Sequence, residues 1–153
     1  MWLEKIIKIK KMCERRMVMK FVKRKQVKKI NLPGRIIQKV IGKDSFIKID
    51  KMTMGFAYYS AESGVMQPHH HAEEIVYIII AKKSWVRYDL HKNKLGTKMM
   101  LEPGMTLYFD ELEWHVFGYD LGGYVDIIFF YGQVNNIRPE EIYEKNKNGL
   151  EKF

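Results

Sequence analysis

The residues best suited to chemistry lie in "QPHHHAEEIVYIIIA", residues 67 to 81, where His69, His70 and His71 are followed by Glu73 and Glu74. Neutral imidazoles and ionised carboxylates are common ligands of first-row transition ions. On extended backbone, side chains two apart share a face, so His69 and His71 would project together while His70 points away. On a helix the same pair would stand about 200° apart and could not share an ion. Pro68 biases Gln67 away from helix, and the apolar run Ile75 to Ala81 reads as a buried strand, so the extended reading is favoured. Glu74 can then swing a carboxylate onto the same ion, with Glu73 as the alternative. A shift of one position would bring in His70 in place of His69 or His71.

A second segment, "LEPGMTLYFDELEWHVFGY" (101 to 119), runs from the turn Pro103-Gly104 through a strand and a short acidic loop to His115. Around the two segments the chain is a series of short runs rich in β-branched and aromatic residues. These are 35 to 41, 46 to 49, 51 to 60, 74 to 80, 84 to 90, 97 to 101, 105 to 109, 114 to 119 and 123 to 131. Clusters such as Pro33-Gly34, Lys82-Lys83 and Gly122-Gly123 stand between them as turn signals. Short strands at this spacing, with no helical pattern between them, predict an all-β closed or double-sheet architecture. Helix is expected at the two ends. Residues 2 to 21 read as a basic amphipathic helix, and Pro139, Glu140 and Glu141 open a short C-terminal one that Gly149 can end.

Together the two segments resemble the cupin superfamily, small β-barrels of jelly-roll type that hold a metal inside. The first cupin motif (Gly, a gap, His-x-His, a gap, Glu, then Gly) falls on Gly64, His69, His71, Glu74 and Ala81. The second, a Pro-Gly turn with a later His, falls on Pro103-Gly104 and His115. The gaps before His69 and after His71 are each shorter than the motif's, Ala81 replaces its last glycine, and Tyr119 stands where the second motif has Asn. The resemblance covers about residues 33 to 133. It implies a double-stranded β-helix with His69, His71, Glu74 and His115 around one divalent transition metal (Fe, Mn, Ni, Co or Zn), and it leaves the reaction open, since cupins include dioxygenases, isomerases, lyases and sensors.

Composition narrows the field. The net charge of +9 sits in residues 1 to 29, which hold 12 Lys or Arg against Glu4 and Glu14, whereas the rest of the chain is near neutral. The expected organisation is therefore a basic leader over 1–30, with Met17 and Met19 as alternative starts, and one domain over 31–153. A near-neutral body argues against nucleic acid as a partner, and no apolar run approaches the roughly 20 residues that span a bilayer. Lone Cys13 cannot form an internal disulfide, so a cytoplasmic location is expected. Ten methionines suit an adaptable apolar cavity better than a sugar site. Gln67, sharing parity with His69, is a candidate to orient a ligand or metal-bound water, and Tyr58 and Tyr77 are candidate proton donors beside Glu74, a candidate base. The expected partner is a small-molecule substrate or ligand. The apolar stretch Val125 to Tyr131 suggests a homodimer. A metal-dependent enzyme is the first reading and a non-catalytic ligand-binding or sensor protein the second.

Overall fold

The computed structural model describes residues 19–96 and 98–132. The expected helices within 2 to 21 and after Pro139 therefore lie largely or wholly outside the described residues. Eight strands follow in chain order: β1 (Ile30–Leu32), β2 (Arg35–Gly42), β3 (Ile47–Lys48), β4 (Thr53–Ser60), β5 (Glu74–Asp89), β6 (Met99–Met100), β7 (Thr106–Phe109) and β8 (Trp114–Tyr131). They make one sheet in the order β1-β2-β4-β8-β5-β6, with β3 beside β2 and β7 beside β5. All pairings are antiparallel except β2 with β3. The sheet does not close: no ladder among the described residues joins β1 to β6.

Two long strands take the place of four expected short ones. Lys82-Lys83 and Gly122-Gly123 do not end strands. They are irregularities within β5 and β8, where Lys82 pairs with Tyr124 but Ser84 already pairs with Tyr119. The surplus residues on β8 bulge out and bend both strands, and Lys83 takes a φ of 45°. Each long strand thereby contributes to two parts of the same roll.

Alternation selects the core. Glu74, Val76 and Ile78 of β5 are buried while Ile75 and Tyr77 are exposed, and on β8 Val125, Ile127, Phe129 and Tyr131 form the inward row. Each fully buried aliphatic or aromatic side chain contributes about 1.5–3 kcal/mol relative to exposure. Val125 to Tyr131 is thus an interior strand flanked by β4 and β5, with no free edge to offer a second copy.

Part of the expected leader packs on the sheet. Val27 is buried, and Arg24 makes a two-pronged ion pair with Asp126 of β8 (Nη1 to Oδ2 2.6 Å, Nη2 to Oδ1 2.7 Å) while lying 4.1 Å over the Phe56 ring. Gln38 joins the clamp: its Oε1 accepts from Arg24 Nε, and its Nε2 donates to the Arg24 and Val27 carbonyls.

Candidate metal centre

Backbone pairing brings the two histidine segments together. His69 and His115 exchange hydrogen bonds (His69 N–H to His115 O 3.0 Å, His115 N–H to His69 O 2.9 Å), and Leu112 N–H donates to His71 O at 2.9 Å. The loop before β5 is in this way fastened to the start of β8. Glu74, first residue of β5, lies opposite Phe109 and Tyr131.

The ring nitrogens are sorted by local carbonyls. His71 Nδ1 is 2.9 Å from Ala72 O, His115 Nδ1 is 3.0 Å from Glu113 O, and His69 Nδ1 is 3.3 Å from Gln67 O. A carbonyl only accepts, so each Nδ1 carries the proton and each neutral ring keeps a lone pair on Nε2. Donor atoms of His69, His71 and His115 all lie within 4.8 Å of one another. Glu74 Oε2 is 3.2 Å from both His71 Nε2 and His115 Nε2. Phe109 stacks on His115 at 4.1 Å, and Tyr131 meets His71 edge-on at 4.7 Å, so packing as well as hydrogen bonding fixes the rings.

Charge at this place is finely opposed. Burial alone would raise the Glu74 carboxyl, and it is positive charge at His71 and His115 that pulls it far below the usual carboxylate range; neutral rings with Nε2 lone pairs leave that role to another cation. Burial, followed by His115, His71 and Arg35, pushes His69 well below its ordinary value. A protonated His69 is therefore disfavoured here, while the buried carboxylate of Glu74 requires positive charge nearby. Glu74 Oε2 and His115 Nε2 are buried without a hydrogen-bond partner despite their closeness. Orphaned acceptors converging from a carboxylate and imidazoles fit a divalent cation, which would satisfy them together.

The candidates read from sequence separate clearly. His69, His71, Glu74 and His115 converge. His70 turns away onto Trp114, ring centres 4.2 Å apart, and Glu73 faces outward, where it accepts from Tyr108 Oη at 3.0 Å and pushes that phenol up to about 12. Three other residues are not brought in. Tyr77 is exposed on the outer face of β5, Tyr58 is turned toward Tyr124 because the inward parity of β4 belongs to Ala57 and Tyr59, and Gln67 is exposed, touching the site only through its carbonyl.

Beside the metal-ligand candidates is a small interior pocket, with about 20 Å³ open to water, lined by Arg35, Ile37, Ala57, Tyr59, His69, Glu74, Phe129 and Tyr131. Sequence reading missed Arg35, Tyr59 and Tyr131. The available signal was parity: Tyr131 continues the row Val125, Ile127, Phe129, and Arg35 precedes Ile37 on the buried side of β2.

No family model and no curated protein matches this sequence. Solved structures do match in shape. The polyketide cyclase RemF from Streptomyces resistomycificus superposes with a TM-score of 0.58 at 19% identity, over 85% of this chain and 94% of its own. A protein from Planctomyces limnophilus gives 0.58 at 10% identity, over 81% and 95%. This chain has the cupin fold. Another cupin-fold structure, hydroxypropylphosphonic acid epoxidase from S. wedmorenis, gives 0.55 at 9% identity, over 73% of this chain and 58% of its own.

Proposed function

We propose that the protein is a metal-dependent cupin enzyme acting on a small organic molecule, with His69, His71, His115 and Glu74 holding one divalent transition metal. The observation that carries this reading is the convergence of three imidazoles and a carboxylate whose Oε2 has no hydrogen-bond partner. Similar structures lend support, since they include a cyclase, an epoxidase also seen with Fe(II), and a DMSP lyase. The bound metal would supply Lewis acidity to a substrate oxygen and lower the pKa of bound water. The chain's own part is to exclude bulk water and to keep each Nε2 unprotonated through the Nδ1 contacts. Glu74 would either stay bound to the metal or, on leaving it, serve as the proton acceptor.

The test is elemental analysis of untagged protein, which should find about one transition metal per chain. Adding that metal at a hundred times its Kd should raise stability by about 2.7 kcal/mol. Protein that neither contains nor takes up a transition metal would sink the reading. A second reading, a non-catalytic ligand-binding or sensor protein, is favoured by the tightness of the pocket. Metal-loaded protein that binds small ligands without turning any over would support it.

We further propose a homodimer formed through the outer face of the sheet. There Tyr108, Ile75 and Phe130 lie side by side across β7, β5 and β8, all exposed.

A further inference from the structure

Away from the metal centre, Met19, Phe21 and Phe46 are exposed at 80%, 76% and 56%. They are not scattered: with Ile47, Lys20 and Lys48 they line one open cleft of about 500 Å³. Both of its walls are tied to the sheet. On one side, the Arg24 ion pair with Asp126 and the buried Val27 hold the segment that follows Phe21. On the other, β3 pairs with β2, Phe46 N–H donates to Lys39 O at 3.1 Å, and Ile49 N–H donates to Gly42 O at 3.2 Å. An apolar patch rimmed by charge marks a surface that another body covers. The surrounding charge is positive: residues 19 to 52 hold 11 Lys or Arg against Asp44 and Asp50. Lys20 and Lys48 stand in the cleft, and Lys23, Lys25, Lys43 and Lys51, within four residues of it along the chain, are exposed.

From this arrangement we infer that the cleft docks the protein on the surface of an anionic lipid bilayer, with Met19, Phe21 and Phe46 entering the headgroup boundary and the lysines meeting the charged headgroups. The inference is independent of the metal-centre reading. Three observations favour lipid over another anionic partner. First, the only polar side chains among the described lining residues are ammonium groups. A lysine binds phosphate as a point charge, without the planar fork that reads a base edge or a carboxylate in one geometry. Second, the apolar members stand out from the fold and are long or aromatic, which suits a fluid surface that needs no complementary shape. Third, the chain leads into the cleft from residues 2 to 18, whose sequence continues the same mixture, with Trp2, Leu3 and Ile6 among Lys5, Lys8 and Lys10. Clusters of roughly four to eight Lys or Arg beside an amphipathic segment are the pattern that holds anionic lipid.

The test is sedimentation of the full chain with vesicles of phosphatidylcholine alone and of phosphatidylcholine carrying about one third phosphatidylserine. The mixed vesicles should carry the protein down and the neutral ones should not. Raising salt from about 0.1 M to about 0.5 M should release it. Phe21→Ser combined with Phe46→Ser should weaken binding by about tenfold or more, and Lys20→Gln combined with Lys48→Gln by a similar factor. All four side chains are exposed, so the thermal midpoint of unfolding should stay where it is in both variants. No binding to the mixed vesicles, or equal binding to the neutral ones, overturns the inference. Vesicle binding that both variants retain in full assigns the affinity to the residues before Met19 and overturns the part given to the cleft. A single-stranded oligonucleotide, or polyglutamate standing in for an acidic protein, that binds more tightly than the mixed vesicles and loses affinity in the same variants overturns lipid as the occupant.

Discussion

Three imidazoles present the same nitrogen because the other one is occupied by nearby backbone, a carbonyl within two residues of each histidine. The tautomer is set by the chain's own path, before any ion is considered. Substituting His115 by Ala should therefore abolish stoichiometric metal uptake, exceeding the 10–100-fold loss typical when only a ligand's supporting partner is removed. Glu74→Gln nearly conserves volume but removes the charge, and it should also weaken metal binding, read by competition with a chelator. Retention of wild-type affinity in both variants would exclude these residues as ligands. Strand parity sufficed to separate His69 and His71 from His70. It also turned Tyr77 outward, because residues Glu74, Val76 and Ile78 take the inward row of β5 and odd neighbours cannot. Tyr58 falls outside the inward row of β4, which Gly55, Ala57 and Tyr59 make.

Among the elements, the turn before β2 and the clamp after the leader are the most exposed to single substitutions. Gly34→Ala forces a Cβ into a positive φ and against the Met66 backbone, so it should cost about 2–4 kcal/mol in denaturant unfolding. A loss below about 0.5 kcal/mol would show that the turn relaxes freely. Arg24→Met leaves Asp126, buried at 7% exposure, without its two-pronged partner. The expected cost is about 1–2 kcal/mol, less than for a fully buried pair because Arg24 is about a third open to water. It should appear together with faster tryptic cleavage at Lys28 and Lys29. Most strands were legible from alternation and turn residues. The fusion of four short ones into β5 and β8 was not, because Lys-Lys and Gly-Gly mark a wide bulge as readily as a hairpin.

For the molecule as a whole, strand order depends on contacts distant in sequence, and no local pattern states it. The paired histidine motifs revealed the cupin fold, yet they could not show that Val125 to Tyr131 lies between two partners instead of at an edge. A dimer must then use a face. Sedimentation at micromolar concentration should give twice the mass of the 18.3 kDa chain, and Ile75→Lys should halve it. A monomeric unsubstituted protein would refute the outer-face dimer.

The bridge between His69 and His115 has a consequence for when the ion can arrive. Its two residues are separated by all of β5, β6 and β7, so a chain still leaving the ribosome holds three of the four candidate donors and lacks His115 until β8 has emerged and closed against the loop. Long-range closure of this kind is slow compared with local structure. Were the proposed ion bound by all four residues, its capture would belong to the last stage of folding, and the ion acquired would be the one most available in the place and at the moment the chain completes itself.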